Sequence, residues 1–184
     1  MARSDQIPGI RPRATLGRRL DTAARCAFPA TCTILLMLLT QMPLGIPNQF
    51  ALLPAATLAC VYFWSLFRPA AMPPGVVFVI GLLFDLLSYL PIGVGVLTLL
   101  VTHGLALRWR RVLTGQGFMS VWLAFAAFAI GAAALGWLLT AALSVRVLPA
   151  APALFQAVLT AALYPALAVL FIQAHRTIAD PERA

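Results

Sequence analysis

The chain has 184 residues, 62% of them hydrophobic and only 10% charged, and a formal net charge of +8. Soluble domains run nearer half apolar and a quarter charged, so this composition excludes an ordinary soluble globular domain. The charge comes from thirteen arginines against five acids, with no lysine. Arginines flanking membrane helices account for that excess, so no nucleic-acid partner is expected. Apolar runs of about 16–25 residues recur, the length that crosses a bilayer at about 1.5 Å per residue. The expected class is an all-α polytopic membrane protein.

Residues 1–25 read as a basic N-terminal arm carrying Arg3, Arg11, Arg13, Arg18, Arg19 and Arg25, with Pro8 and Pro12 opposing a helix before about Thr15. Arg18–Arg19 resembles a twin-arginine signal. No small-residue cleavage site follows, so the first apolar run is read as an uncleaved helix. Residues 26–175 form the membrane domain, with six spans at 27–42, 50–67, 75–90, 94–107, 118–143 and 153–174. A proline-rich loop, 68–74, joins the second and third spans, and Pro91–Gly93 makes a tight turn between the third and fourth. Arg108-Trp109-Arg110-Arg111 opens the next loop, which ends near Gly117. Residues 176–184 are a polar tail. The third and fourth spans are short, and 75–107 also reads as a re-entrant pair with the same parity.

Arginine asymmetry orients the chain. With the N-terminus in the cytoplasm, twelve arginines fall on the inner side and Arg146 alone on the outer. Both termini are then cytoplasmic. Trp64 and Trp109 fall near inner ends of spans, where indoles favour the interface. Cys26, Cys32 and Cys60 form no disulfide or zinc pattern, and Cys32 and Cys60 read as small buried hydrophobes.

Asp85 lies inside the third span. An Asp at a helix centre costs about 2.5–3.5 kcal/mol on insertion scales, while each Val, Leu, Ile or Phe returns roughly 0.3–0.6. The span carries eleven of these, so it still inserts. Gly81, Asp85 and Ser88 share one helix face, and Gly95, Thr98 and Thr102 share a face of the next helix. Packing these faces through the tight turn is expected to bring hydroxyls toward Asp85, with Gly81 and Gly95 allowing the backbones to approach. Two readings stand open. Asp85 is either a hydrogen-bonded pin inside the bundle or a proton, ion or substrate site. His103 reads as an interface residue. In the sixth span Gln156, Thr160 and Tyr164 form a polar stripe, read first as interior packing and otherwise as a cavity lining, and Pro165 frees a carbonyl one turn earlier. Ala132-x-x-x-Gly136 reads as a close helix–helix contact.

Enzyme patterns are lacking. Only Asp85 among the carboxylates lies in a span, no serine sits in a glycine-rich membrane motif, no acidic cluster could hold Mg²⁺, and there is no P-loop. No catalytic residue, metal or cofactor is expected.

One stretch carries a resemblance. Phe67-Arg68-Pro69, then Gly81-Leu82-Leu83-Phe84-Asp85-Leu86-Leu87-Ser88, then Pro91-Ile92-Gly93 is similar to the signature of the rod shape-determining protein MreD family. That signature runs R-P, a mainly apolar gap, G-L-x-x-D-L-L, and P-L-G. Ile92 replaces the usual Leu, and Tyr89 stands where Gly is common. The match covers residues 67–93, and elsewhere the agreement is in length and hydropathy only. It singles out Arg68, Pro69, Gly81, Asp85, Pro91 and Gly93, while helical spacing marks Ser88, Thr98 and Thr102 as an intramembrane polar face.

The resemblance implies a non-enzymatic scaffold in the bacterial inner membrane, part of the machinery for cell elongation and peptidoglycan synthesis. The partners it implies are an MreC-like membrane protein, the RodA and class B penicillin-binding protein synthase, MreB indirectly, and membrane lipids. It also implies a six-helix bundle resembling the S-components of energy-coupling-factor vitamin transporters, which supplies the alternative function. A vitamin binder needs an outer cavity with polar or aromatic contacts. The outer connections offer few such groups, which favours helix–helix partnering.

Overall fold

The computed structural model describes residues 16–43, 49–88, 91–145 and 149–179, with side chains described over 27–43, 49–88, 91–145 and 149–173. Residues 1–15 of the basic arm, Tyr89, Arg146 and Arg183 lie outside the described residues. So do the side chains of Arg18, Arg19, Arg25, Cys26 and Arg176. Among the described residues every regular element is helical: α1 (Leu16–Thr40), α2 (Leu52–Phe67), α3 (Pro74–Ser88), α4 (Val94–Leu113), α5 (Phe118–Ser144) and α6 (Ala151–Ala179), with short 3₁₀ turns at Gln49–Ala51 and Pro69–Ala71.

Three stretches are long and apolar enough to cross a membrane: Gln49–Phe67, Phe118–Ser144 and Ala151–Gln173. The chain thus has the build of a helical membrane protein. α3 has 15 residues, about 22 Å of helix against a hydrocarbon core of about 30 Å. α4 has 20 residues but carries Arg108, Arg110 and Arg111 in its last turns. Those arginines were expected to open a loop. Instead the helix continues through them to Leu113, and the connection shrinks to 114–117. Arg, Trp, Val and Leu are all compatible with a helix, and no Gly or Pro interrupts residues 105–114. Hydropathy falls where the arginines begin; the helix does not end there.

α2 is the central helix. Thirteen of its 16 residues are buried, as suits a helix that is apolar around its whole circumference. It packs against α1, α4 and α6. Tyr62 sits among Phe125, Phe128 and Tyr164 with ring centroids 5.0, 5.1 and 5.8 Å away, and Phe125 stacks on Tyr164 at 4.1 Å. Trp64 does not reach an interface. It is fully buried and meets Phe28 edge-on at 5.9 Å. Position along the helix suited a membrane-edge indole, but the side of the helix it occupies faces the core. Trp109, by contrast, is exposed.

α6 runs through Pro165. A proline has no N–H, so the carbonyl four residues earlier loses its helical donor. That carbonyl belongs to Ala161, and the Trp122 indole N–H of α5 donates to it at 2.9 Å. This bond ties α5 to α6 where the helix is weakest.

The alternation of helices gives the bundle two ends. One holds the end of α1, the start of α2, the α3–α4 turn, the end of α5 and the start of α6; it is called the cap end below. The other, the basic end, holds Arg68, Arg108, Arg110 and Arg111.

Candidate functional site

The centre of the cap end is Asp85. Its side chain is 1% exposed, and its partners are backbone amides at the start of α4. Gly93 N–H donates to Oδ2 at 2.7 Å, Gly95 N–H to Oδ1 at 2.7 Å, and Val96 N–H to Oδ2 at 3.3 Å. A helix begins with four N–H groups that lack intrahelical acceptors. A Ser, Thr, Asp or Asn at the N-cap position normally accepts from them. Here that position is Gly93, which has no side chain and whose φ of 104° favours glycine. The missing acceptor comes instead from α3, eight residues earlier. Asp85 is therefore an N-cap supplied across a hairpin, and it also meets the positive end of the α4 dipole.

The reach of Asp85 depends on close approach of the two helices. A Cβ on Gly81 would lie 2.6 Å from the Val96 Cα, and a Cβ on Gly95 would overlap the Phe84 ring and the Asp85 carboxylate. Gly81, Asp85, Gly93 and Gly95 are thus one device. Pro91 belongs to its turn, its carbonyl accepting from Val94 N–H at 3.2 Å.

The hydroxyls expected to meet Asp85 do not. Ser88 donates to the Phe84 carbonyl at 2.6 Å, Thr98 to Val94 at 2.7 Å and Thr102 to Thr98 at 2.8 Å. Each satisfies its own helix one turn back, the usual habit of these residues inside helices. The three also part company in space. Ser88 and Thr98 line a cavity at the cap end, and Thr102 lines a groove elsewhere. Arg68 and Pro69 lie at the basic end, separated from Asp85 by most of α3. The Arg68 N–H donates to the Trp64 carbonyl at 2.8 Å and closes α2, while Pro69 opens the following 3₁₀ turn. The signature therefore divides between two ends of the bundle.

Two polar contacts were not anticipated. His103 is 2% exposed, not interfacial, and its Nδ1 lies 2.7 Å from Ser65 Oγ on α2. The Ser65 hydroxyl donates to the Val61 carbonyl, which makes His103 Nδ1–H the donor to Ser65 Oγ. This serine is fully buried and its hydroxyl hydrogen is directed to its own helix. His103 Nε2 and Trp64 Nε1 have no hydrogen-bond partner among the described residues. At the basic end Arg110 Nε–H donates to the Leu66 carbonyl at 2.7 Å and caps the last turn of α2. The sequence signal for Ser65 and His103 is simply two polar residues in apolar spans; Arg110 looks like any other flanking arginine.

The cap-end cavity has a volume of about 680 Å³ and is walled by α2, α3, α4, α5 and α6, with Gln41 from the end of α1. Its lining is mostly apolar and, among the described residues, includes no charged side chain. Ala132 and Gly136, expected to mark a close helix contact, both line it, and a Cβ on Gly136 would meet nothing within 4 Å. The expected polar stripe on α6 divides. Gln156 and Thr160 line the cavity, whereas Tyr164 is buried in the aromatic core. A second hollow of about 330 Å³ runs between α4 and α5, lined by Val101, Thr102, Leu105, Trp109, Phe128 and Leu135 among others. No group of three or more His, Cys, Asp or Glu placed to hold a metal ion occurs among the described residues. Compared with known protein families, curated proteins and solved structures, the chain finds no match.

Proposed function

We propose that the chain is a non-enzymatic scaffold subunit of the bacterial cell-elongation machinery, of the MreD type. In this reading it spans the inner membrane six times, with both termini cytoplasmic, and holds an MreC-like partner and the peptidoglycan synthase through its helices. The observation that carries the reading is the Asp85 cap. The signature residues Gly81, Asp85, Pro91 and Gly93 serve one architectural task, and both carboxylate oxygens are taken up by backbone amides. A motif that builds a rigid hairpin suits a protein whose work is to present helices. The α4–α5 hollow, flanked by exposed Leu105 and Trp109, is the kind of apolar surface a partner's membrane helix fits. The gathering of Arg68, Arg108, Arg110 and Arg111 at one end supports the orientation.

A photo-crosslinking residue at Leu105 or Leu135 tests this. A crosslink in growing cells to an MreC-like or synthase transmembrane segment is expected; crosslinks to lipid alone would overturn it. A second reading, substrate-binding subunit of an energy-coupling-factor transporter, is favoured by one feature, the cap-end cavity. Its size falls within the range of small-molecule sites, about 300–1,000 Å³.

A further inference from the structure

The cap-end cavity is only about half enclosed by the protein, and it is far larger than a packing defect. Interiors are close-packed, with few voids beyond the size of a water molecule. Here about 680 Å³ stays open beside a well-filled aromatic core. The space exists because α5 presents Ala129, Ala132, Ala133 and Gly136 toward it.

The lining defines what would fill it. Among the described residues the wall carries no charged side chain, so they would not replace the hydration that an ionised ligand loses on entering. The polar groups that remain are unequal in kind. Ser88, Thr98 and Thr140 each donate their hydroxyl hydrogen to a carbonyl of their own helix, so each oxygen has only accepting capacity left. Gln156 Nε2 donates to the Ala51 carbonyl at 3.0 Å and to Thr160 Oγ1 at 3.1 Å. Both its N–H groups are engaged, while Oε1 has no donor among the described residues. One Gln41 N–H donates to the Leu87 carbonyl at 3.0 Å. The described wall is therefore mostly apolar, without a charged side chain, and offers several acceptors beside the Trp137 indole and one further Gln41 N–H.

We propose that this cavity binds an uncharged, mainly hydrocarbon molecule bearing one or two hydroxyl or amide N–H donors. A neutral lipid drawn from the bilayer and a free apolar solute share this chemistry. The site goes beyond the scaffold reading and does not depend on which partners the chain holds.

The test uses the full chain in nanodiscs with a monoacylglycerol carrying a diazirine in its acyl chain. After irradiation, labelled peptides are mapped by mass spectrometry. Saturable labelling on cavity-lining residues such as Leu58, Leu99 and Ala133 is expected. A phosphatidic acid with the same diazirine chain should label those positions at background. Gly136→Leu, whose side chain enters open space, should lower labelling there by about tenfold. Competition by dioleoylglycerol would support the bilayer as the source, and competition by 1,2-octanediol alone would support a free solute. The proposal is overturned if labelling spreads over the outward faces of α5 and α6 without saturation, or if the phosphatidic acid probe labels the cavity equally. If Gly136→Leu fails to assemble, the wild-type saturation and competition results still decide.

Discussion

Replacing Asp85 separates its capping role from a role in proton or ion chemistry. Asp85→Ala removes three hydrogen bonds to the start of α4. The Gly95 and Val96 bonds are buried, and the Gly93 bond is part-buried. An unsatisfied buried N–H costs about 1–3 kcal/mol. The Gly93 bond is only part-buried and the Val96 bond is long, so the lower part of that range applies and the total is about 3–5 kcal/mol. For a chain of this size each kcal/mol moves Tm by about 2–4 °C, a fall of about 6–20 °C. Asp85→Asn keeps one acceptor oxygen. Placed where Oδ2 sits, it serves Gly93 and Val96 but turns an NH₂ toward the Gly95 N–H, so the loss is one bond, about 1–3 kcal/mol. The assay is thermal unfolding in mild detergent, with hydrogen exchange read at Gly93, Gly95 and Val96. The expected order of stability is wild type, Asn, then Ala, with Gly95 deprotected first. If Asn matched wild type in stability while abolishing function, the capping account would be refuted and a proton or ion role would take its place.

Four other outcomes follow from the packing of the bundle. Gly81→Ala and Gly95→Ala should each destabilise the α3–α4 hairpin by about 1–3 kcal/mol through overpacking, read by the same unfolding assay. Gly93→Ala should cost about 1–2 kcal/mol because its φ lies in the left-handed region. Trp122→Phe should cost about 1–2 kcal/mol by stranding the Ala161 carbonyl. That cost should largely vanish in a Pro165→Ala background, where a helical N–H returns to the same carbonyl, and a double-mutant cycle measures the difference. Ser65→Ala should loosen α2 against α4 by about 1–3 kcal/mol by leaving the His103 Nδ1–H unpaired in the core, seen as faster hydrogen exchange in both helices.

Much of the architecture is legible in sequence because apolar runs, proline turns and glycine pairs report on local physics. Six helices, the tight turn at Pro91–Gly93 and the carbonyl freed by Pro165 all belong to this class. Helix ends are less legible when composition changes without a breaker, as at Arg108–Arg111. The role of Asp85 is half legible. Helical spacing identifies the face it shares with Gly81, but hydroxyls opposite it look like natural partners in one dimension. In three dimensions Ser88, Thr98 and Thr102 each have a nearer acceptor one turn back, and the free amides of α4 lie closer to the carboxylate. That competition depends on how far α3 and α4 interpenetrate, which two glycines control. The Ser65–His103 pair is not legible, and the cavity is legible only as one reading of the Gln156 and Thr160 stripe, since both arise from side chains brought together across distant parts of the chain. Gly136 shows why: small residues read as contact when a neighbour arrives and as empty space when none does.

The scaffold claim meets its most direct test in a mild-detergent pull-down of the tagged full chain from its native membrane, with partners identified by mass spectrometry. The account predicts recovery of an MreC-like protein together with RodA-type and class B penicillin-binding subunits. Recovery of a transmembrane coupling subunit with two ATPases would contradict it and make the cap-end cavity a transport site.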